Sequence, residues 1–344
     1  MLFRQQTLDL PHGELQTPIL FPVRNLGKRS SDNTPQYIDS IPDLPTAMIN
    51  ARAIRNRDPM WDRLTNGVSL REEMNVPEHT IVYADSGGFD FTNEDLDTTP
   101  EETLATQRQL KADIIGTVDI PLSRQNRSTE NQRRIDQSIN FALAASEQHN
   151  GEASLFASVH GYDPETIRNS IRYLEKRGNF DGYALGSLVP VRTDYTKVTK
   201  LVLAARTATD KHLHVYGLGG LVYQPLLLYL GVDSFDSSAF IRSAGNRNYL
   251  IPGFGGEELW NIDDLEYLPC SCPICGERTL EEIRADRNAL TQHNLWALTT
   301  ELRRFRYVSS SGRDIEDYLD LRFRGNEVTQ RAYRTAKQQV RRLA

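Results

Sequence analysis

Short runs of apolar and β-branched residues, each followed by a polar turn and an amphipathic helical stretch, recur along most of this chain. That alternation limits the fold more than any other feature, because repeated strand–helix units imply a parallel sheet with crossover helices. The candidate strands are residues 46–49, 80–84, 113–118, 154–159, 182–185, 213–216 and 231–235. Helical patterns over 100–111, 133–149, 164–177 and 195–209 lie between them. Seven or eight such units in about 250 residues fit a (β/α)8 barrel. An open doubly wound sheet is the alternative. It is disfavoured because no Gly-x-Gly-x-x-Gly follows the first strand, and the Gly-x-Gly-Gly at 217–220 comes too late to count.

After about residue 260 the pattern changes. Every cysteine of the chain falls within six residues, as Pro-Cys-Ser-Cys-Pro-Ile-Cys-Gly with Cys270, Cys272 and Cys275. Isolated core cysteines behave as small hydrophobes and would not cluster in this way. A tight turn can aim three thiolates at one point, and His293, on a helical stretch downstream, can complete a tetrahedron. An Asp or Glu could take its place. Four protein ligands leave no position for water, so the expected Zn2+ is structural. The expected organisation is an α/β barrel catalytic region over 1–260, a zinc-binding subdomain over 261–300 and a basic helical C-terminal segment over 301–344.

The charge pattern supports that last division. The chain carries a net charge of −6, yet residues 302–344 hold eleven Arg or Lys against five acids. A basic end on an acidic body suits contact with a polyanion, although a solvated helical surface would read the same way. No apolar run reaches the roughly twenty residues of a membrane span, and the first residues lack a signal-peptide pattern. Unpaired thiols fit a reducing interior. The expected location is cytoplasmic, with no membrane partner.

Polar residues gather just after the candidate strands. Asp85-Ser86-Gly87-Gly88-Phe89, Asp119, His160-Gly161, Gly186-Ser187, Gly217 and Asp236-Ser237-Ser238 all follow such a run. In a barrel these positions converge on the C-terminal face, where active sites are built. One Asp after a strand is often only a helix cap. Three aspartates, a histidine and two glycine-bearing turns at strand ends are harder to explain that way. Two carboxylates facing one pocket suit chemistry at a sugar C1′, one as nucleophile and the other handling the proton on the leaving base. The glycines after Asp85 permit close backbone approach to a ligand, and Phe89 offers a flat face to a planar base.

These residues resemble the tRNA-guanine transglycosylase superfamily. Asp85-Ser86-Gly87-Gly88-Phe89 is similar to its Asp-Ser-Gly-Gly-Phe-Gln signature, and Gly231-Val232-Asp233-Ser234-Phe235-Asp236-Ser237 resembles its nucleophile motif. Cys-x-Cys-x-x-Cys followed by His293-Asn294 resembles its zinc site. Val118-Asp119-Ile120-Pro121 and Gly182-Tyr183-Ala184-Leu185-Gly186-Ser187-Leu188-Val189-Pro190 look closest to the archaeal branch, as does Phe235-Asp236-Ser237-Ser238-Ala239. The resemblance covers most of residues 45–300. It implies a zinc-bearing TIM barrel that exchanges guanine in a polynucleotide for a free 7-deazaguanine without ATP. Carried over, Asp236 is the nucleophile and Asp85 the general acid/base. Asp119 reads the donor edge of the purine, Gly186 and Ser187 supply backbone donors, and Phe89 and Tyr216 sandwich the base, with Ser86 and His160 completing the pocket.

The departures are specific. Asp90 stands where the family has Gln, and Val159-His160-Gly161-Tyr162 replaces Val-Gln-Gly-Gly. His160 can still donate to a purine O6. The altered pocket, and a chain with no room after the zinc region for the RNA-binding domains of archaeal tRNA enzymes, favour the DNA-acting branch. tRNA is the alternative polymer. A homodimer or helper proteins are left open. A noncatalytic nucleic-acid-binding subunit would be expected to lose Asp85 or Asp236, and a zinc hydrolase would need an open metal position.

Overall fold

The computed structural model describes residues 1–26, 41, 44–88, 98–252 and 257–343. Eight parallel strands close into a barrel: β3 (Ile19–Arg24), β4 (Thr46–Asn50), β5 (Ile81–Asp85), β6 (Ile114–Gly116), β7 (Ser154–Val159), β8 (Gly182–Leu185), β9 (His212–Val215) and β10 (Ser234–Ser237). The (β/α)8 expectation is met, and the open sheet is excluded by the β10–β3 pairing. The strand absent from the sequence reading is β3. Its Pro22 lacks an N–H and reads against a central strand, yet it pairs with β4 and β10. β6 is shorter than the expected 113–118, and Asp113 just before it accepts from the Val82 N–H, Arg71 and the His12 N–H.

The interior is filled rather than open. Tyr83 packs edge-on against Phe21, Phe156 and His214, with ring centroids 5.7, 5.7 and 4.9 Å away. The N-terminal end is closed by the antiparallel hairpin of β1 (Gln6–Leu10) and β2 (Gly13–Thr17). His12 at its tip bonds to Asp113, and Arg4 forks onto Asp233 at 2.7 and 2.6 Å. Both acids precede a barrel strand, so the plug seats on the face opposite the strand C-termini.

Helices Pro100–Gln109, Ser128–Gln148, Pro164–Arg177 and Tyr195–Arg206 surround the barrel. After β10 come the helix Ala239–Gly245 and a second antiparallel hairpin, β11 (Asn248–Pro252) and β12 (Glu257–Asn261). The cysteine turn and the long helix Arg287–Ser310, which packs on β3, follow. The boundary expected between 300 and 301 falls inside this helix. Beyond it, the helix Glu327–Arg341 packs on Tyr195–Arg206. Arg322 is buried in an ion pair with Glu301 at 2.8 Å, Arg306 bonds the Pro18 carbonyl, and Lys337 and Arg341 pair with Glu316. Part of the basic charge read from the sequence therefore ties the C-terminal helices to one another, and Arg306 and Arg322 reach the barrel at the Pro18 and Leu221 carbonyls. Among the described residues no helix is long and apolar enough to cross a membrane.

Candidate active site and metal centre

The strand ends deliver the expected residues to one mouth. Asp85 is the last residue of β5, His160 follows β7, Gly186-Ser187 follows β8, Tyr216 follows β9, and Asp236 lies in β10. Asp119 sits three residues past β6. Its backbone is held by Ser86, whose Oγ accepts from the Asp119 N–H at 3.0 Å. Gly88 is required here, because a Cβ at this position would lie 2.1 Å from the Asp119 carbonyl oxygen. Phe89 lies outside the described residues, so one of the two expected stacking partners has no position.

Asp85 is strongly perturbed by its surroundings. Burial, with Asp119 and Asp236 close by, pushes its carboxyl up to about 8, against the opposing Gly87 and Ser86 N–H groups. The residue keeps some exposure, but its Oδ1 is sealed from water without a hydrogen-bond partner. At neutral pH it is a protonated acid beside other carboxyls, the arrangement that separates an acid from a base in a paired site.

His160 and Asp119 form the second cluster. His160 Nε2 lies 2.8 Å from Asp119 Oδ1, a close charge contact whose alignment falls short of a hydrogen bond. Both atoms are otherwise buried and unpartnered. On its other side, His160 Nδ1 is 2.9 Å from Ser187 Oγ, and that oxygen accepts the Leu122 N–H at 2.8 Å. Where the hydroxyl gives its own hydrogen to Nδ1, Nε2 is the N–H that faces Asp119. Ser187 holds this post in the left-handed region, at φ +60°, a conformation that costs a non-glycine residue energy. Gly186 makes room, since a Cβ there would meet the His160 ring at 2.8 Å. Tyr216 bonds Tyr83 through their hydroxyls at 2.9 Å, and burial raises its phenol well above the ordinary range, so it stays neutral.

Asp236 is differently held. Its Oδ1 accepts the Gly217 N–H at 2.7 Å and approaches His214 Nε2 at 3.3 Å. Beside it runs a groove of about 600 Å³, lined by Arg192, Tyr195, Gly217, Tyr223, Ser237 and Arg242. The sequence reading missed His214, Ser234 and the groove arginines. A signal was present: His212-x-His214 and Ser234-x-Asp236 repeat at the period of two that puts alternate strand residues on one face.

The cysteine turn also converges. One ligand atom each from Cys270, Cys272, Cys275 and His293 lies within 4.8 Å of the others. His293 Nδ1 is 3.5 and 3.3 Å from the sulfurs of Cys272 and Cys275, and Nε2 donates to the Leu250 carbonyl at 2.9 Å. That bond fixes the tautomer with Nδ1 free for a cation. Asn294 holds the carbonyl in place, accepting from Leu250 N and donating to Asn248 O, both at 2.9 Å. Hydrogen bonds from Cys272 and Cys275 hold the Cys270 thiol low, while sharing with Cys270 pushes Cys272 up to about 11 and Cys275 higher. Three thiolates together need a cation, and the set fits one.

Residues 2–313 match the family model described as queuine tRNA-ribosyltransferase. The chain belongs to that family. Among the curated relatives of this queuine tRNA-ribosyltransferase family member are three named tRNA-guanine(15) transglycosylase. The protein of Methanococcus aeolicus is 25% identical over 335 residues, covering 94% of this chain and 50% of the relative. That of Haloferax volcanii is 27% identical over 330 residues, covering 93% and 62%. That of Pyrococcus abyssi is 28% identical over 267 residues, covering 74% and 44%. The chain thus spans less than two thirds of the length of these relatives.

Proposed function

We propose that this protein exchanges guanine in tRNA for a free 7-deazaguanine through a covalent glycosyl–aspartyl intermediate. The observation that carries the reading is the pairing, in one barrel mouth, of a part-buried carboxyl held protonated to about pH 8 with a second carboxyl pinned at one oxygen. In the first step Asp236 attacks C1′ as the C1′–N9 bond breaks, and the electron pair leaves on guanine, which takes its proton from Asp85. In the second step Asp85, now ionised, removes the N9 proton of the incoming base. N9 attacks C1′, and the electron pair of the breaking ester bond returns to Asp236. One glycosidic bond replaces another, so no ATP is consumed.

Asp119 and His160 present an acceptor beside a donor, which complements the 2-amino, N1–H and 6-oxo edge of a guanine-type base. Tyr216 would take one face of it. Arg192 and Arg242 have no ion-pair partner among the described residues, and they flank the groove beside Asp236 where a polynucleotide backbone would lie. The cysteine centre would hold zinc in a structural role, tying the hairpin of β11 and β12 to helix Arg287–Ser310.

The polymer is read as tRNA because relatives matching more than nine tenths of this chain are named for tRNA. The altered base pocket, which favours DNA when the sequence is taken alone, has no comparable support. Exchange of labelled guanine into tRNA, duplex DNA and single-stranded DNA, with wild type and Asp236→Ala, tests the proposal. Wild type should label tRNA and yield an adduct that survives denaturing electrophoresis, and the variant should do neither. Full exchange by Asp236→Ala would overturn the chemistry. Labelling of DNA alone would overturn the choice of polymer.

A further inference from the structure

Four side chains inside the barrel form a hydrogen-bonded line that the proposed chemistry leaves unexplained. β9 and β10 pair with Ser234 opposite His214, so His212, His214, Ser234 and Asp236 meet on the inner face. His212 Nε2 lies 2.7 Å from Ser234 Oγ, His214 Nδ1 lies 2.8 Å from the same oxygen, and His214 Nε2 reaches Asp236 Oδ1 at 3.3 Å. His212, His214 and Ser234 are buried. Phe21, Tyr83 and Tyr216 pack edge-on around His214, and Phe156 packs against His212.

The hydrogens can be assigned by elimination. A carboxylate oxygen only accepts, so His214 Nε2 must carry the hydrogen it turns toward Asp236. Burial lowers the pKa of both imidazoles, that of His212 to about 4, so each is neutral and has one N–H. His214 Nδ1 is therefore an acceptor, and Ser234 gives it a hydrogen. The Ser234 oxygen in turn accepts from His212 Nε2. His212 Nδ1 should then be bare, and it is a buried atom with no partner. Each hydrogen is used once and all of them point toward Asp236.

We infer that His214 is a positioning residue, held by Ser234 and His212 in the tautomer that, together with the Gly217 N–H, pins Asp236 Oδ1 and assigns attack on C1′ to Oδ2. The inference rests on the proposed function. No hydrogen bond reaches Oδ2 among the described residues. Two donors on one oxygen fix the carboxylate plane, which holds the other near its attack geometry. They also favour the negative charge that returns to Asp236 when the ester bond breaks in the second step.

The test has two independent arms. Ring-nitrogen NMR of wild type labelled at histidine should find His212 and His214 neutral and protonated at Nε2 at neutral pH. His214 as the Nδ1–H tautomer or as imidazolium would overturn the inference. In the kinetic arm, His214→Phe keeps a ring but removes the donor. It should slow formation of the trapped adduct roughly 10- to 100-fold, with the KM for free base and the zinc content unchanged and the melting temperature lowered, because Ser234 loses its acceptor. His214→Gln, whose amide can reach the Nε2 position, should recover most of the rate. Adduct formation by His214→Phe at the wild-type rate would refute the positioning role. If His214→Phe does not fold, His214→Gln and the NMR arm still decide. A wild type without exchange activity would sink the functional reading, and the ring-nitrogen assignment would still be tested.

Discussion

Replacing Asp85 by Asn should stabilise the protein while abolishing exchange. Asp85 has a folded-state pKa of about 8 against an ordinary value of 3.8. Between those values the unfolded chain releases the proton and the folded chain keeps it. Stability contributed by this group is therefore fully present below about pH 4 and is lost as pH rises through about 8. Each unit of pH across that window costs at most ~1.4 kcal/mol. Roughly three units separate 3.8 from neutrality, so the ceiling at pH 7 is about 4 kcal/mol. Partial solvent access to the residue reduces the expected figure to about 2 kcal/mol. Asparagine matches the carboxyl in shape, accepts the same Ser86 and Gly87 N–H groups and does not ionise. Urea unfolding of both proteins should give curves that diverge from pH 5.5 to 8 and run parallel above it. Exchange by the variant should fall roughly 100- to 10,000-fold, because the amide cannot deliver a proton to the leaving base. Stability curves that stay parallel throughout, or an unchanged exchange rate, would refute the reasoning.

Three further outcomes follow from the geometry. Cys272→Ser should lower zinc from one equivalent by elemental analysis and cost on the order of several kcal/mol, whereas unchanged metal content and melting temperature would argue against a structural centre. Arg322→Ala leaves Glu301 buried without its partner and should cost about 3–5 kcal/mol in urea unfolding; combining it with Glu301→Gln should recover part of the loss, and strict additivity would show that the pair is not coupled. Gly88→Ala forces its methyl against the Asp119 carbonyl, so binding of free base measured by calorimetry should fall at least tenfold, and wild-type affinity would show that the turn does not shape the pocket.

The strand–helix alternation made the barrel legible, because period-two and period-3.6 patterns are local properties of the chain. β3 escaped because Pro22 argues locally against a strand that only its neighbours β10 and β4 stabilise. The metal cluster was legible for a related reason. Three cysteines within six residues can hardly avoid one another, whereas the fourth position needed the fold to bring His293 across. The placement of Asp85, Asp119, His160, Gly186, Ser187, Tyr216 and Asp236 around one mouth follows from barrel topology once each is recognised as a strand end. What sequence could not supply is the environment of each group. That Asp85 holds its proton, that His160 lies between Asp119 and Ser187, and that His212, Ser234 and His214 converge on Asp236 all depend on distances between segments far apart in the chain. The basic C-terminal stretch shows the same limit. Its composition suggested a surface for polyanions, but composition cannot tell which arginines face water, and the tertiary structure turns Arg306, Arg322 and Lys337 onto the protein itself. Periodicity and short spacing are written into the chain one neighbour at a time. Proton state and charge pairing depend on burial and on distant partners, which exist only once the barrel has closed.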